Sequence, residues 1–414
     1  MRKQCLAFRY SSLPKFLGVT PKIDVYVALN DPHSYMLIQA LVELEQRFTA
    51  TFCLYLVYES RISLSVDAVT WRKWVINDAN LIARQYGFST IREIPNANAL
   101  FTGQQLWQMQ TTNLTNALAI FRQTWDNDFE HYYHVSTPVI NFQIKNQQRL
   151  FDKGHYSPAS IQYLGEWYIG VDRLWYLEHK LIEKGYACES NQTPKYNANS
   201  MAFLAKDNKS LCKLKTSDHL FQPIEMFLSL RSPYSYVGFH KVKSLCEHYQ
   251  IPLILKPILP LVMRNVEVPQ CKKKYIYMDA NREAISAGVP YKSFVDPIGE
   301  GIVKCFEVFA YTCEKGKSQA FIEAVFDAIY VRNIDVAITE NLITLCQDLS
   351  LDYQDALEYG LEHDWQQWSD TNQMILDKLG FWGVPCFRYA EQVYWGQDRL
   401  AEIERAIISY SKIL

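Results

Sequence analysis

The chain has 414 residues, enough for two or three domains at about 100 to 200 residues each, and an apolar fraction of 49% suffices for packed cores. Its 42 Lys and Arg against 44 Asp and Glu leave a net charge of -2, which offers no basic stripe for phosphates and excludes nucleic acid as an expected partner. No run approaches the ~18 apolar residues of a membrane span, so no membrane association is expected.

The stretch from Met1 to Thr20 mixes Arg2, Lys3, Arg9 and Lys15 with short apolar pieces and lacks the continuous apolar core of a signal peptide. A cytoplasmic location is the expectation. From Ile23 the chain alternates Ile23, Val25, Val27 and Leu29, the period of a strand. The pattern breaks at Asp31-Pro32, a helix start with Asp31 as N-cap and the proline as first helical residue. His131 and His134 lack a flanking ligand set, and no metal site is expected there. "GHYSPASIQYLGEWYIGVDRLWYLEHKLI" from Gly154 closes this part. Residues 186–222, polar and rich in turn formers, read as a linker between domains at 20–185 and 223–414.

The second part opens the same way. Ile224, Met226, Leu228 and Leu230 alternate, Ser232-Pro233 starts a helix that runs to about Tyr249, and "PLILKPIL" follows as a second strand, giving a unit that must cross over right-handedly. Helical segments fill the middle. A proline then precedes two short strands, "CFRY" and "QVYW", joined by a tight turn at Ala390 and Glu391, and a terminal helix opens at "GQDR".

These two parts are copies of one another. "IDVYVALNDPHSY" from Ile23 matches "IEMFLSLRSPYSY" from Ile224, with Pro32 and Pro233 offset by 201 positions, and "RKWVINDAN" from Arg72 matches "KKYIYMDAN" from Lys273 at the same offset. Gly87 falls opposite Gly288. The closing segments match at an offset of 226, with "GVDRL" at Gly170 and "GQDRL" at Gly396, so the second copy holds 25 additional residues after Gly288.

Ten cysteines include no CxxC pair, and dithiol exchange of the usual kind is excluded. Most read as buried, reduced packing residues.

The order of elements, a parallel pair and an antiparallel pair with a helical insertion between, resembles the thioredoxin fold of the DsbA-like group. The fold class is therefore α/β, with two tandem thioredoxin-like (DsbA-like) domains, each with a helical insertion. Where redox members carry CxxC this chain has "SPYS" at Ser232 and "DPHS" at Asp31, and "SPYSY" resembles the opening motif of the 2-hydroxychromene-2-carboxylate isomerases and kappa-class glutathione transferases. The resemblance covers Ile224 to about Ile408 continuously and Ile23 to about Ile182 more faintly.

What the resemblance implies falls on single positions. Ser232 matches the catalytic serine that hydrogen-bonds the sulfur of glutathione, the implied cofactor. A hydroxyl and backbone N–H groups at a helix N-terminus favour a thiolate, and lowering a thiol pKa by two units from about 8.5 takes about 2.7 kcal/mol. A plain N-cap is the compatible structural role. Val384 and Pro385 of "GVPCF" match the Val-Pro whose proline is cis and whose preceding residue offers backbone groups to the cysteinyl part. Gln397 and Asp398 match residues that bind the γ-glutamyl end; as bare structure, Asp398 would cap the last helix and Arg399 would be a surface partner. Lys272 matches a lysine near glutathione and substrate, although a run of three lysines also reads as a solvated face. Asn265 resembles an upstream asparagine.

In the first copy Asp31 puts a carboxylate where a thiolate would sit, which disfavours both charges. Lys272 is replaced by Trp71, and Val384-Pro385 by Ser157-Pro158. The first copy thus reads as a structural partner, an intrachain pseudo-dimer mate of the second, with further dimerisation left open. The resemblance implies a glutathione-dependent isomerase or transferase for a small conjugated aromatic substrate. A DsbA-family thiol oxidoreductase using Cys386 and a non-catalytic binding protein are the alternatives.

Overall fold

The computed structural model describes residues 20–58, 68–111, 113–129, 140–197, 201 and 222–411. His131, His134 and most of the stretch 198–221 lie outside them. The described residues up to 197 belong to one compact unit and those from 201 onward to a second.

In the first unit the alternating segment forms β1 (Lys22–Val27), followed by α1 (Pro32–Arg47) and β2 (Thr51–Leu56). Four helices come next: α2 (Ala68–Tyr86), α3 (Ala97–Gln110), α4 (Leu114–Asp126) and α5 (Ile140–Asp152). The unit ends with β3 (Ser160–Tyr163), β4 (Glu166–Ile169) and α6 (Leu174–Glu183). The sheet order is β2-β1-β3-β4, with β1 and β2 parallel and the other neighbours antiparallel.

The second unit repeats this plan. It runs β5 (Ile224–Leu228), α7 (Pro233–Tyr249), β6 (Leu253–Pro257) and α8 (Gln270–Ser286), then α9 (Glu300–Glu314), α10 (Ser318–Asp327), α11 (Thr339–Asp348), α12 (Tyr353–Glu362) and α13 (Trp365–Lys378). β7 (Cys386–Tyr389), β8 (Gln392–Trp395) and α14 (Leu400–Ser411) close it. The sheet order is β6-β5-β7-β8, again with one parallel pair. Six α-helices lie between its strand pairs against four in the first unit among the described residues, which is where the additional residues go.

Both central strands are more buried than their alternation suggests. All of Ile224–Leu228 is inside, because helices cover both faces of the sheet. The polar positions this traps are paired: Asp24 meets Arg149 at 3.0 Å and also Lys153, while Glu225 meets Lys256 at 3.5 Å and also Arg388. The acid at this shared position, Asp24 in one copy and Glu225 in the other, is thus neutralised by different cations, as a buried charge must be.

Two sequence expectations shift. The pair Ser157-Pro158 does not stand where Val384-Pro385 does. Gly396 donates to the Pro385 carbonyl at 2.9 Å and Gly170 to that of Ala159 at 2.7 Å, so Ala159, with φ 51°, is the structural counterpart of Pro385. In the segment expected as linker, Tyr186 and Tyr196 are part of the first unit's core. Tyr196 is fully buried, its hydroxyl donates to the Ala40 carbonyl at 3.1 Å, and Glu178 accepts from the backbone N–H groups of Lys195 and Tyr196 at 2.9 Å each. Polar composition hid an anchor made by one aromatic ring.

Candidate active site

The end of β5 turns into α7 through a bond from the Ser232 N–H to the Ser229 carbonyl at 2.9 Å. Ser232 is extended, with φ -87° and ψ 115°, and its Oγ accepts from the Ser235 N–H at 3.1 Å. Pro233 follows at the first helical position, where no N–H is needed. The serine therefore caps its helix, as expected, using a lone pair. Its hydroxyl proton has no acceptor among the described residues and is available to an anion at the positive end of the helix. Asp31 caps α1 in the same way, accepting from the Ser34 N–H at 2.9 Å and the Ser34 hydroxyl at 2.5 Å. An ionised carboxylate only accepts, so the cap persists in the first unit and the donor does not.

The second element is the loop before β7. The Val384-Pro385 peptide bond is cis, the one such bond among the described residues. Gly383 lies flat against the indole of Trp395, so close that a Cβ there would sit 2.6 Å from its ring. Trp382 packs edge-to-face on Trp395 at 4.5 Å. Cys386 is fully buried, its Sγ donates to the Gly383 carbonyl at 3.1 Å, and burial pushes its thiol well above the ordinary cysteine value. A thiol held protonated in this way is a packing residue.

The third element opens the last helix. A single 3-10 turn, Gln397–Arg399, precedes α14, and Gly396 with φ 92° occupies the cap position with no side-chain cap. Asp398 lies inside this turn, and Arg399 is buried instead of lying on the surface. Gln397 is also buried, its carbonyl accepting from Lys241 at 3.2 Å and its amide lying 3.4 Å from Asp398 Oδ1.

Gly238, one turn into α7, joins the three elements. A Cβ there would lie 3.1 Å from the Phe387 ring, 3.4 Å from Gln397 Cβ and 3.4 Å from Pro385 Cγ. Sequence reading passed over this glycine, yet the copies signal it, since its counterpart is Leu37. Arg264 was missed as well; it donates to the Trp382 carbonyl at 2.8 Å. So was Ser229, whose buried hydroxyl has no partner among the described residues and whose counterpart is Ala28.

α8 is tied to the start of α7 by Tyr234, which donates to Asp279 at 2.7 Å. Lys272 lies two turns before Asp279 on the same helix face. It is half-buried, and burial lowers its ammonium below the usual lysine value, whereas Lys273 and Lys274 are exposed. Asn265 is exposed and left-handed at φ 59°, ending the 3-10 turn Leu261–Arg264, a conformation asparagine tolerates. Among the described residues no group of three His, Cys, Asp or Glu is arranged to hold a metal, and no helix is long and apolar enough to cross a membrane.

Comparison with known proteins follows these lines. Two curated relatives are named 2-hydroxychromene-2-carboxylate isomerase. That of Pseudomonas putida is 21% identical over 194 residues, 44% of this chain and 93% of its own. That of Pseudomonas sp. strain C18 is 21% identical over 207 residues, 48% of this chain and 95% of its own. A solved structure of 2-hydroxychromene-2-carboxylate isomerase aligns with a TM-score of 0.40 at 19% identity, covering 46% of this chain and 96% of that one. Residues 223–408, the stretch that holds Ser232, the cis-proline and Gln397, match the DSBA-like thioredoxin domain.

Proposed function

We propose that the second unit is a glutathione-dependent isomerase or transferase acting on a small conjugated aromatic substrate. The observation that carries this reading is Ser232, a helix cap whose proton is still available for donation at a helix N-terminus. Glutathione would bind with its sulfur at Ser232, its cysteinyl backbone along Val384 and Pro385, and its γ-glutamyl end at Gln397 and Asp398. Lys272, whose ammonium is disfavoured by burial, would attract a substrate carboxylate. Asn265, exposed at the end of the 3-10 turn Leu261–Arg264, would be a further contact.

The chemistry balances without an external oxidant. The thiolate adds to a conjugated carbon, forming an S–C bond while the π pair moves to the conjugated carbonyl oxygen. Rotation follows about the resulting single bond. The pair then returns, the S–C bond breaks, and glutathione leaves as it came. The names of the curated relatives support this class of reaction. A Cys386 oxidoreductase finds no support in a thiol that is buried and held protonated.

For the first unit we propose a non-catalytic role as the intrachain mate of the second, since Asp31 and Ala159 replace the donor and the cis-proline. Calorimetric titration of glutathione into the full chain and into Ser232→Ala and Asp398→Ala variants tests the reading. Saturable binding weakened in both variants is the expected result. No binding to the folded wild-type chain would sink it.

A further inference from the structure

Arg264 bridges α13 and the loop that follows it, beyond the last backbone bond between them, from the Phe381 N–H to the Leu376 carbonyl at 3.1 Å. Its Nη1 donates to Gln373 Oε1 on α13 at 2.6 Å and its Nη2 to the Trp382 carbonyl at 2.8 Å. Its Nε is buried with no partner among the described residues. Burial lowers its pKa, with Asp377 acting the other way. A desolvated cation with one donor unsatisfied is costly to keep, and a residue chosen for packing would carry no charge. What the guanidinium supplies is a planar fork, which fixes a direction between two acceptors as a flexible ammonium does not. One of those acceptors belongs to the residue two positions before Val384, and the other to the helix that leads into this loop.

We infer that Arg264 is a positioning residue that holds the Trp382–Pro385 loop against α13 and so sets the backbone edge that Val384 presents to a ligand. The inference rests on the proposed glutathione reading for its consequence, but not for the clamp itself. Its test has two independent readouts on the full chain: amide hydrogen exchange across Trp382–Val384, and calorimetric affinity for glutathione. In Arg264→Met, loop exchange should rise roughly tenfold or more and glutathione should bind roughly tenfold more weakly, with exchange in α7 unchanged. Arg264→Lys keeps the charge and loses the fork, so it should recover only part of each effect. Full recovery by lysine would overturn the fork argument. Gln373→Leu, which removes one anchor and leaves the arginine in place, should loosen the loop in the same direction and serves if the methionine variant does not fold. Unchanged loop exchange in the folded variants would overturn the inference. Faster loop exchange in a protein whose wild type binds no glutathione would keep the clamp and discard the glutathione reading.

Discussion

The phenol of Tyr234 donates to Asp279 at 2.7 Å, pinning α7 to α8 one residue after the proline that opens the helix. Two hundred and one positions earlier His33 Nε2 lies 2.8 Å from Asp78, the same clamp with a different donor. A contact kept in the copy that lost its serine serves folding first. Tyr234→Phe would take a phenol donor from the buried Asp279, which also pairs with Arg282, and should lower stability by about 1 to 3 kcal/mol. Chemical denaturation measures this, and a loss under about 0.5 kcal/mol would show the bond to be idle.

The two roles of Ser232 separate by substitution. Ser232→Asp keeps a cap that accepts from the Ser235 N–H, as Asp31 does for Ser34, and should fold with near-wild-type stability while losing thiol binding to charge repulsion. Ser232→Ala should lose about 1 kcal/mol of stability together with the donor. Thermal melts paired with glutathione titration read both. Wild-type affinity in the aspartate variant would remove Ser232 from the ligand site.

Strands and caps were legible in the sequence because each depends on neighbours in the chain, whereas the cis Val384-Pro385 bond was legible only through the family resemblance. The period-two runs became β1 and β5, Asp31 and Ser232 became caps, and "CFRY" and "QVYW" became β7 and β8. Contacts across the fold were not. Arg264 looks like any surface arginine until Gln373 and Trp382 arrive from more than a hundred positions away. Tyr196 sits in a polar stretch, and its burial and its hydrogen bond to Ala40 reveal an anchor. The error at Pro158 came from matching residue type where backbone bonding sets the register. Gly238 had a signal after all, in the leucine that faces it across the repeat.

Acid should weaken the second unit through His240. Burial lowers its pKa from the ordinary value of about 6.5, against the opposing pull of Glu323 and Asp327 and with help from Lys243. The neutral ring is the form the fold accepts. Above the ordinary value both folded and unfolded chains hold it neutral; as pH falls through that value toward the lowered one, the unfolded chain takes a proton first and stability is lost. Denaturation midpoints at about pH 7.5 and about pH 5.5 should therefore differ more for the wild type than for His240→Gln. Equal acid losses in the two proteins would assign the effect elsewhere.

Gly238 supplies the sharpest test of whether the three elements must meet. Even a methyl there would stand 3.1 Å from the Phe387 ring and 3.4 Å from both Pro385 and Gln397, so a leucine has no room without moving the cis-proline loop or the start of the last helix. The first unit accommodates Leu37, fully buried, where Ala159 replaces the proline. Gly238→Leu should thus fold with a loss of about 1 to 3 kcal/mol from overpacking and bind glutathione far more weakly. Gly238→Ala balances the gain of a better helix former, about 0.5 to 1 kcal/mol, against one tight contact, and should stay near wild type in stability. A leucine variant with unchanged melting and unchanged affinity would mean that α7 does not press on Pro385 and Gln397, and that the ligand site does not depend on their convergence.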